Sequence, residues 1–151
     1  MSGYTPTGKK KLKYIYYMNK VLLWLDDLRD PFEGTWLEVY SPLQSPFETI
    51  WVKDYQQFVA WIEINGLPDG ICFDHDISSF VAFAAREKGM SKRASRKLKQ
   101  FEKTGYDAAK WLVDYCLDNS LELPKFNIQS ANPAGKENIQ KLLDNFNNRA
   151  R

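Results

Sequence analysis

The sequence has few cysteines and no long apolar run. Its two cysteines, Cys72 and Cys116, lie inside apolar patterns, which predicts buried thiols rather than a disulfide framework and suits a reducing cytoplasm. No run reaches the roughly 18 apolar residues that a membrane span requires. The polar, basic start shows no apolar signal-peptide segment. We therefore expect a cytoplasmic protein without a membrane partner.

The chain also lacks a strong charge of either sign. Its net charge is +2 at pH 7, which does not by itself indicate nucleic-acid binding. A hydrophobic content of 44% and an aromatic content of 15% exclude a disordered chain, and 151 residues suit one domain. We place this domain at residues 20–151, after a polar, basic arm at residues 1–19. The arm is either a solvated tail or a segment that contacts phosphate and stacks on bases.

Acidic residues follow two apolar runs of the sequence. The runs cover residues 21–25 and 70–73, and continuous apolar runs of this length are typical of strands buried on both faces of a parallel sheet. The acidic residues are Asp26 and Asp27 after the first run and Asp74 and Asp76, with His75 between them, after the second. Ligands bind outside the carboxyl ends of such strands. One aspartate there is often a turn former, but two clusters favour a shared Mg²⁺ or Mn²⁺ site, because close carboxylates repel without a cation.

The remaining patterns predict the order of the elements. Strands are predicted at residues 20–25, 49–52, 70–73 and 125–129, and helices at residues 55–65, 106–119 and 136–147. Prolines and a glycine within residues 31–47 predict a loop with a short extended piece at residues 36–40. Residues 130–135 are predicted as a tight turn. The order indicates an α/β domain with a mainly parallel sheet of about four strands.

Residues 77–103 are strongly basic and are interpreted as a partly helical insertion beside the acidic site. Its candidate ligand-binding side chains are Lys92, Arg93, Arg96, Lys97 and Lys99. The segment is either a solvated charged helix or a basic lid that captures a phosphate-rich ligand.

His75 is the single histidine of the chain. Strand alternation places Asp74 and Asp76 on one side and His75 on the other. A histidine there can protonate a leaving oxygen or bind phosphate, so His75 and Asp76 are the candidate catalytic residues.

Four motifs in order carry a family resemblance. They are Leu25-Asp26-Asp27-Leu28-Arg29-Asp30-Pro31, Phe73-Asp74-His75-Asp76, Thr104-Gly105-Tyr106-Asp107 and Ser130-x-Asn132-Pro133-x-Gly135-x-x-Asn138-Ile139. This set resembles the cyclic-phosphate processing receiver domain, a group of small proteins of bacteria and phages, over about residues 19–147. The resemblance implies a receiver-like (flavodoxin-like) three-layer fold and a role with cyclic-phosphate nucleotides or RNA ends.

The resemblance also implies roles for particular residues. Asp26, Asp27 and Asp74 would hold the metal ion. The phosphate or nucleotide would be bound by Arg29, Thr104, Gly105, Tyr106, Gln129, Ser130, Asn132, Gly135 and Lys136. Two departures matter: the sequence shows no fifth strand ending in the receiver lysine, and Gln129-Ser130 stands where the family pattern has His-Ser. Glutamine cannot shuttle protons at neutral pH.

Three hypotheses follow. The first is a metal-dependent phosphoesterase acting on a cyclic-phosphate nucleotide or RNA end. The second is a non-catalytic protein that sequesters a cyclic nucleotide signal, as in phage counter-defence. The third is a degenerate receiver domain used for protein interaction. The sequence leaves the oligomeric state open, a homo-oligomer included.

Overall fold

A computed structural model describes residues 20–77, 89, 91, 93 and 102–149. The predicted arm at residues 1–19 lies outside these residues. So does most of the predicted basic insertion, including Lys92, Arg96, Lys97 and Lys99. Arg93 is described and is exposed.

Four parallel strands form one sheet in the order β2-β1-β3-β4. The strands are β1 (Val21–Leu25), β2 (Glu48–Val52), β3 (Gly70–Phe73) and β4 (Lys125–Ile128). The two apolar runs form the central strands β1 and β3, and four of the five residues of β1 and all of β3 are buried. This confirms the predicted α/β fold with a parallel sheet of four strands.

Four helices accompany the sheet within the described residues. They are α1 (Trp36–Tyr40), α2 (Tyr55–Asn65), α3 (Gly105–Asp118) and α4 (Pro133–Asn148). Each of the three longer helices begins at a side-chain cap: Asp54 accepts from Gln57 N, Thr104 from Asp107 N and Asn132 from Gly135 N. Thr104 and Asp107 complete a capping box.

In the part of the chain that the structure describes, the two faces of the sheet are covered unequally. Helices α2, α3 and α4 cover one face, where Leu23 and Phe73 join a large core that includes Phe58 and Leu112. On the other face Leu22, Trp24 and Cys72 pack against Leu37, Tyr40, Leu43, Phe47 and Trp51 from α1, its following loop and β2. The layers are therefore a helical layer, the sheet, and a thin cover formed largely by residues 37–47.

Two predicted elements differ from the structure. Residues 36–40 form one turn of helix, not an extended piece. One turn has little intrinsic stability, and here Leu37 and Tyr40 lie on the same side of the helix and pack on the sheet. The predicted turn at residues 130–135 is shorter than expected, because Asn132 caps α4 and Pro133 occupies its first position.

Both cysteines are free and buried, as predicted. Burial raises the pKa of the Cys72 thiol to about 12, so it stays protonated. In the part of the chain that the structure describes, no helix has the length and apolar composition needed to cross a membrane.

Candidate functional site

Three carboxylates meet where the two central strands end. Strands β1 and β3 are neighbours with Leu25 opposite Phe73, so the residues that follow them emerge side by side. Asp26, Asp27 and Asp74 each offer a carboxylate oxygen, and these oxygens lie within 4.8 Å of one another. We call these three residues the carboxylate cluster. The structure therefore brings together the residues predicted to bind metal.

Asp26 is fully buried and also organises the turn after β1. Its Oδ1 accepts hydrogen bonds of 2.9 Å from the backbone N–H groups of Leu28 and Arg29. Its Oδ2 accepts from Arg29 Nη1 at 3.1 Å. A buried carboxylate with three donors is well satisfied, so Asp26 is held in one position.

Arg29 places a positive charge beside Asp26. Its Nη1 lies 3.1 Å from Asp26 Oδ2 and 3.7 Å from Asp74 Oδ1. Burial lowers the pKa of Arg29, but the hydrogen bond to Asp26 and the charges of Asp26 and Asp74 outweigh this and raise it. Arg29 therefore remains a cation that bridges two members of the cluster.

Asp74 remains strongly perturbed despite Arg29. Burial, followed by the negative charge of Asp26, raises the pKa of Asp74 to about 7, and the opposing effect of Arg29 is smaller. The donor set of the carboxylate cluster fits Mg²⁺ or Mn²⁺, which prefer carboxylate oxygens.

His75 and Asp76 form a pair beside the cluster. His75 Nδ1 and Asp76 Oδ1 lie 2.8 Å apart, and Asn132 Nδ2 donates to the same oxygen at 3.4 Å. The bond to His75 is the main cause that lowers the pKa of Asp76. Asp76 is thus paired with His75 and Asn132, and it is not a member of the carboxylate cluster.

Two glycines allow α3 and α4 to approach this segment. Gly105 N donates to His75 O at 2.8 Å, and a Cβ added to Gly105 would overlap the carbonyl group of Asp74. A Cβ added to Gly135 would overlap the imidazole of His75. The starts of both helices therefore contact the segment that carries Asp74, His75 and Asp76.

Several predicted phosphate-binding residues make contacts that stabilise the fold. The Thr104 hydroxyl caps α3 and donates to Asp107 Oδ2 at 3.1 Å. Ser130 Oγ accepts from Asn132 N at 3.1 Å. Lys136 is exposed in the first turn of α4. Gly105, Asn132 and Gly135 lie against residues 74–76.

Tyr106 is placed elsewhere. It lines a groove with Asn138, Lys141, Leu142 and Asn145, which lie on α4. Its side chain thus borders a groove between α3 and α4.

Gln129 lies just beyond β4 and is buried. Its N–H donates to Phe73 O at 2.9 Å and its Nε2 donates to Leu25 O at 3.0 Å. Its Oε1 is buried and accepts no hydrogen bond from the described residues. The side-chain amide and the backbone N–H of Gln129 therefore join the end of β4 to the ends of β1 and β3.

Sequence reasoning missed three tryptophans that support the turn after β1. Trp24 Nε1 donates to Arg29 O at 3.0 Å, and Trp51 Nε1 donates to Asp26 O at 2.7 Å. The Trp36 ring lies under the Arg29 guanidinium, 5.4 Å from its Cζ. The sequence signal for this support is that strands β1 and β2 each carry a tryptophan. A buried indole N–H needs a hydrogen-bond acceptor, so such residues indicate a contact with nearby backbone.

A family model described as the cyclic-phosphate processing receiver domain matches residues 21–145. The matched range contains the carboxylate cluster, the His75–Asp76 pair and both glycines. No curated protein and no solved structure matches the chain.

Proposed function

The chain belongs to the cyclic-phosphate processing receiver domain family, and on this premise we propose that it is a metal-dependent phosphoesterase. Its substrate would be the cyclic phosphate of a nucleotide or of an RNA end. The observation that carries the proposal is the shared strand edge, where three carboxylates lie within 4.8 Å and His75 follows Asp74 directly.

The carboxylate cluster would hold Mg²⁺ or Mn²⁺. Such an ion, when bound, polarises the phosphoryl group and lowers the pKa of a bound water. Asp26 is fixed by its hydrogen bonds, whereas Asp74 must lose its proton for full binding near neutral pH. Metal affinity is therefore expected to rise with pH.

Ring opening requires a proton for the leaving oxygen. Water adds to phosphorus and loses one proton to solvent, the bond from phosphorus to the 2′- or 3′-oxygen breaks, and that oxygen takes up a proton, so that one water is consumed overall. His75 is our candidate for the donor because Asp76 binds its Nδ1, which leaves Nε2 for the substrate. Asp76 accepts a hydrogen bond from Asn132 and acts as the residue that positions the His75 imidazole.

Phosphate oxygens need donors near the cluster. Arg29 is the best supported, because its guanidinium already lies at carboxylates of the cluster. Thr104, Gly105, Tyr106, Gln129, Ser130, Asn132, Gly135 and Lys136 complete the proposed phosphate or nucleotide site. Lys92, Arg93, Arg96, Lys97 and Lys99 would attract the rest of the ligand.

The test is incubation with cyclic mono-, di- and oligonucleotides and with RNA ending in a 2′,3′-cyclic phosphate, with and without Mg²⁺ or Mn²⁺. Products are separated by chromatography before and after heat denaturation. We expect metal-dependent ring opening that is lost in Asp74→Asn and reduced about 100-fold or more in His75→Asn. The matched control is Asp118→Asn, an exposed carboxylate at the end of α3, which should keep full activity.

A second candidate function is a binding protein that sequesters a cyclic nucleotide. The observation that favours it is Gln129, whose amide is buried and bonded to Leu25 O and cannot transfer protons. In the same assay, a nucleotide that is depleted by the protein and returns unchanged on heating would support this function. Absence of both cleavage and depletion would contradict both functions and leave a receiver domain for protein interaction.

A further inference from the structure

Next to the carboxylate cluster the structure presents an aromatic ring on the surface. Trp36 is 37% exposed although it lies under Arg29, which contacts Asp26 and Asp74. A partly exposed indole is thus connected to the cluster through one side chain. The function proposed above assigns no role to the Trp36 ring.

The ring is held firmly for a surface residue. Helix α1 packs on the sheet through Leu37 and Tyr40, and Tyr40 O accepts from Asn127 Nδ2 at 3.0 Å. Trp36 stacks on Tyr40, with 6.1 Å between ring centroids and 25° between planes. At the other end, Asp26 fixes the backbone of Arg29. A supported ring loses little conformational freedom when a ligand stacks on it.

We propose that Trp36, together with the Arg29 guanidinium, binds the nucleobase of the ligand whose phosphate lies at the carboxylate cluster. This inference rests on the proposed function and narrows it to substrates that carry a base near the cyclic phosphate. Aromatic rings and guanidinium planes stack on every base, so the site selects nucleotides over base-free cyclic phosphates without choosing one base.

The simpler alternative is that Trp36 only supports Arg29. A cation over a ring is favourable by itself, and an exposed tryptophan needs no ligand. The two roles differ in one measurable respect. A support for Arg29 affects every phosphate ligand equally, whereas a base-binding surface affects only ligands that carry a base.

The experiment compares two probes, 2′,3′-cyclic AMP and methyl ribofuranoside 2,3-cyclic phosphate, which lacks the base. Binding is measured by isothermal titration calorimetry in EDTA and again with Mn²⁺, and the recovered ligand is checked by chromatography. The proteins are the wild type, Trp36→Leu, Trp36→Phe and, as the matched control, Phe32→Leu. Phe32 is a 66% exposed aromatic in the segment that precedes α1, and it borders the cleft lined by Leu37 and Glu38.

We expect the wild type to bind the nucleotide about tenfold more tightly than the base-free probe, the order of one base–aromatic stack. Trp36→Leu should remove most of this difference and leave the affinity for the base-free probe within about twofold. Trp36→Phe should retain most of the preference because it keeps a ring, and Phe32→Leu should retain all of it. Circular dichroism confirms that each variant is folded.

Four results would overturn the inference. Equal weakening of both probes by Trp36→Leu would mean that Trp36 acts through Arg29, and an equal effect of Phe32→Leu would mean a general apolar contact. A wild type that binds both probes equally would overturn the base site while leaving the phosphoesterase proposal intact. A wild type that binds neither probe would overturn both.

Discussion

The imidazole of His75 occupies the space that a Cβ on Gly135 would need. This contact joins the residue after Asp74 to the first turn of α4, whose cap Asn132 also reaches Asp76. The glycine therefore sets how closely α4 approaches the candidate catalytic pair. Substitutions at the two positions should be strongly coupled.

Gly135→Ala should destabilise the protein by about 1–3 kcal/mol, because overpacking outweighs the gain in helix propensity of up to about 1 kcal/mol. The double variant Gly135→Ala/His75→Ala should recover much of the loss, because the ring that causes the overlap is gone. Urea unfolding of the four proteins of this cycle measures the coupling, which we expect to be about 1–2 kcal/mol. Strict additivity would show that His75 does not fill this space.

Gly105→Ala should be more damaging, by about 3 kcal/mol or more, because its Cβ would overlap backbone atoms of Asp74 that cannot rotate away. Adding His75→Ala should give no rescue in this case. The difference between the two glycines, measured by thermal unfolding, separates a clash with a side chain from a clash with the backbone. Rescue of Gly105→Ala by removal of the imidazole would contradict this assignment.

Asp74→Asn should stabilise the metal-free protein in a pH-dependent way. Folding raises the Asp74 pKa from about 3.9 in the unfolded chain to about 7, so the folded state binds more protons between these values and loses stability as pH rises through them. The substitution should therefore raise the free energy of unfolding by about 1–3 kcal/mol at pH 8 and change it little near pH 4.

The measurement for Asp74 is urea unfolding in EDTA over this pH range, with Asp118→Asn as the exposed control. Addition of Mn²⁺ at pH 8 should reverse the order, because the wild type gains stability from metal binding and Asp74→Asn loses a ligand. A gain in stability for Asp74→Asn that is equal at pH 4 and pH 8 would show that its carboxylate is not perturbed.

Arg29→Met should strengthen metal binding while weakening the metal-free fold. The guanidinium offsets the negative charge of Asp26 and Asp74, so its removal leaves these carboxylates repelling each other but more attractive to a divalent cation. We expect an increase of about three- to tenfold in Mn²⁺ affinity by calorimetry. Arg149→Met is the control, because Arg149 lies over Phe146 at the far end of α4. Weaker metal binding in Arg29→Met would instead show that the guanidinium is needed to hold the Asp26 turn.

The features of the fold that could be predicted depend on residues that are close to one another in the sequence. Strands β1 and β3 were evident because continuous apolar runs are buried on both faces, and helices α2 and α3 were evident because their patterns lie within a short stretch of chain. Carboxylates after two neighbouring parallel strands then had to lie close together.

The remaining features depend on tertiary contacts. Helix α1 is a single turn stabilised by packing on the sheet, so no periodicity indicates it. The hydrogen bond from Asn132 to Asp76 joins residues that are 56 positions apart in the chain, so a local sequence pattern does not indicate it. Trp36 belongs to α1 and Arg29 to the turn after β1, so their contact is visible only in the folded chain.

The unequal cover of the sheet has a consequence for how the protein opens. Among residues 20–77 and 102–149, one face is covered by three long helices, whereas the other is covered largely by a single helical turn and a loop up to Phe47. Local opening costs the least free energy where few apolar contacts must be broken. Amide hydrogens of residues 31–47 should therefore exchange with solvent far faster than those of β1 and β3. Since Trp36 and its contact with Arg29 belong to this cover, ligand that bridges Trp36 and the cluster should slow that exchange. The protection factors of residues 31–47 would then report ligand occupancy directly.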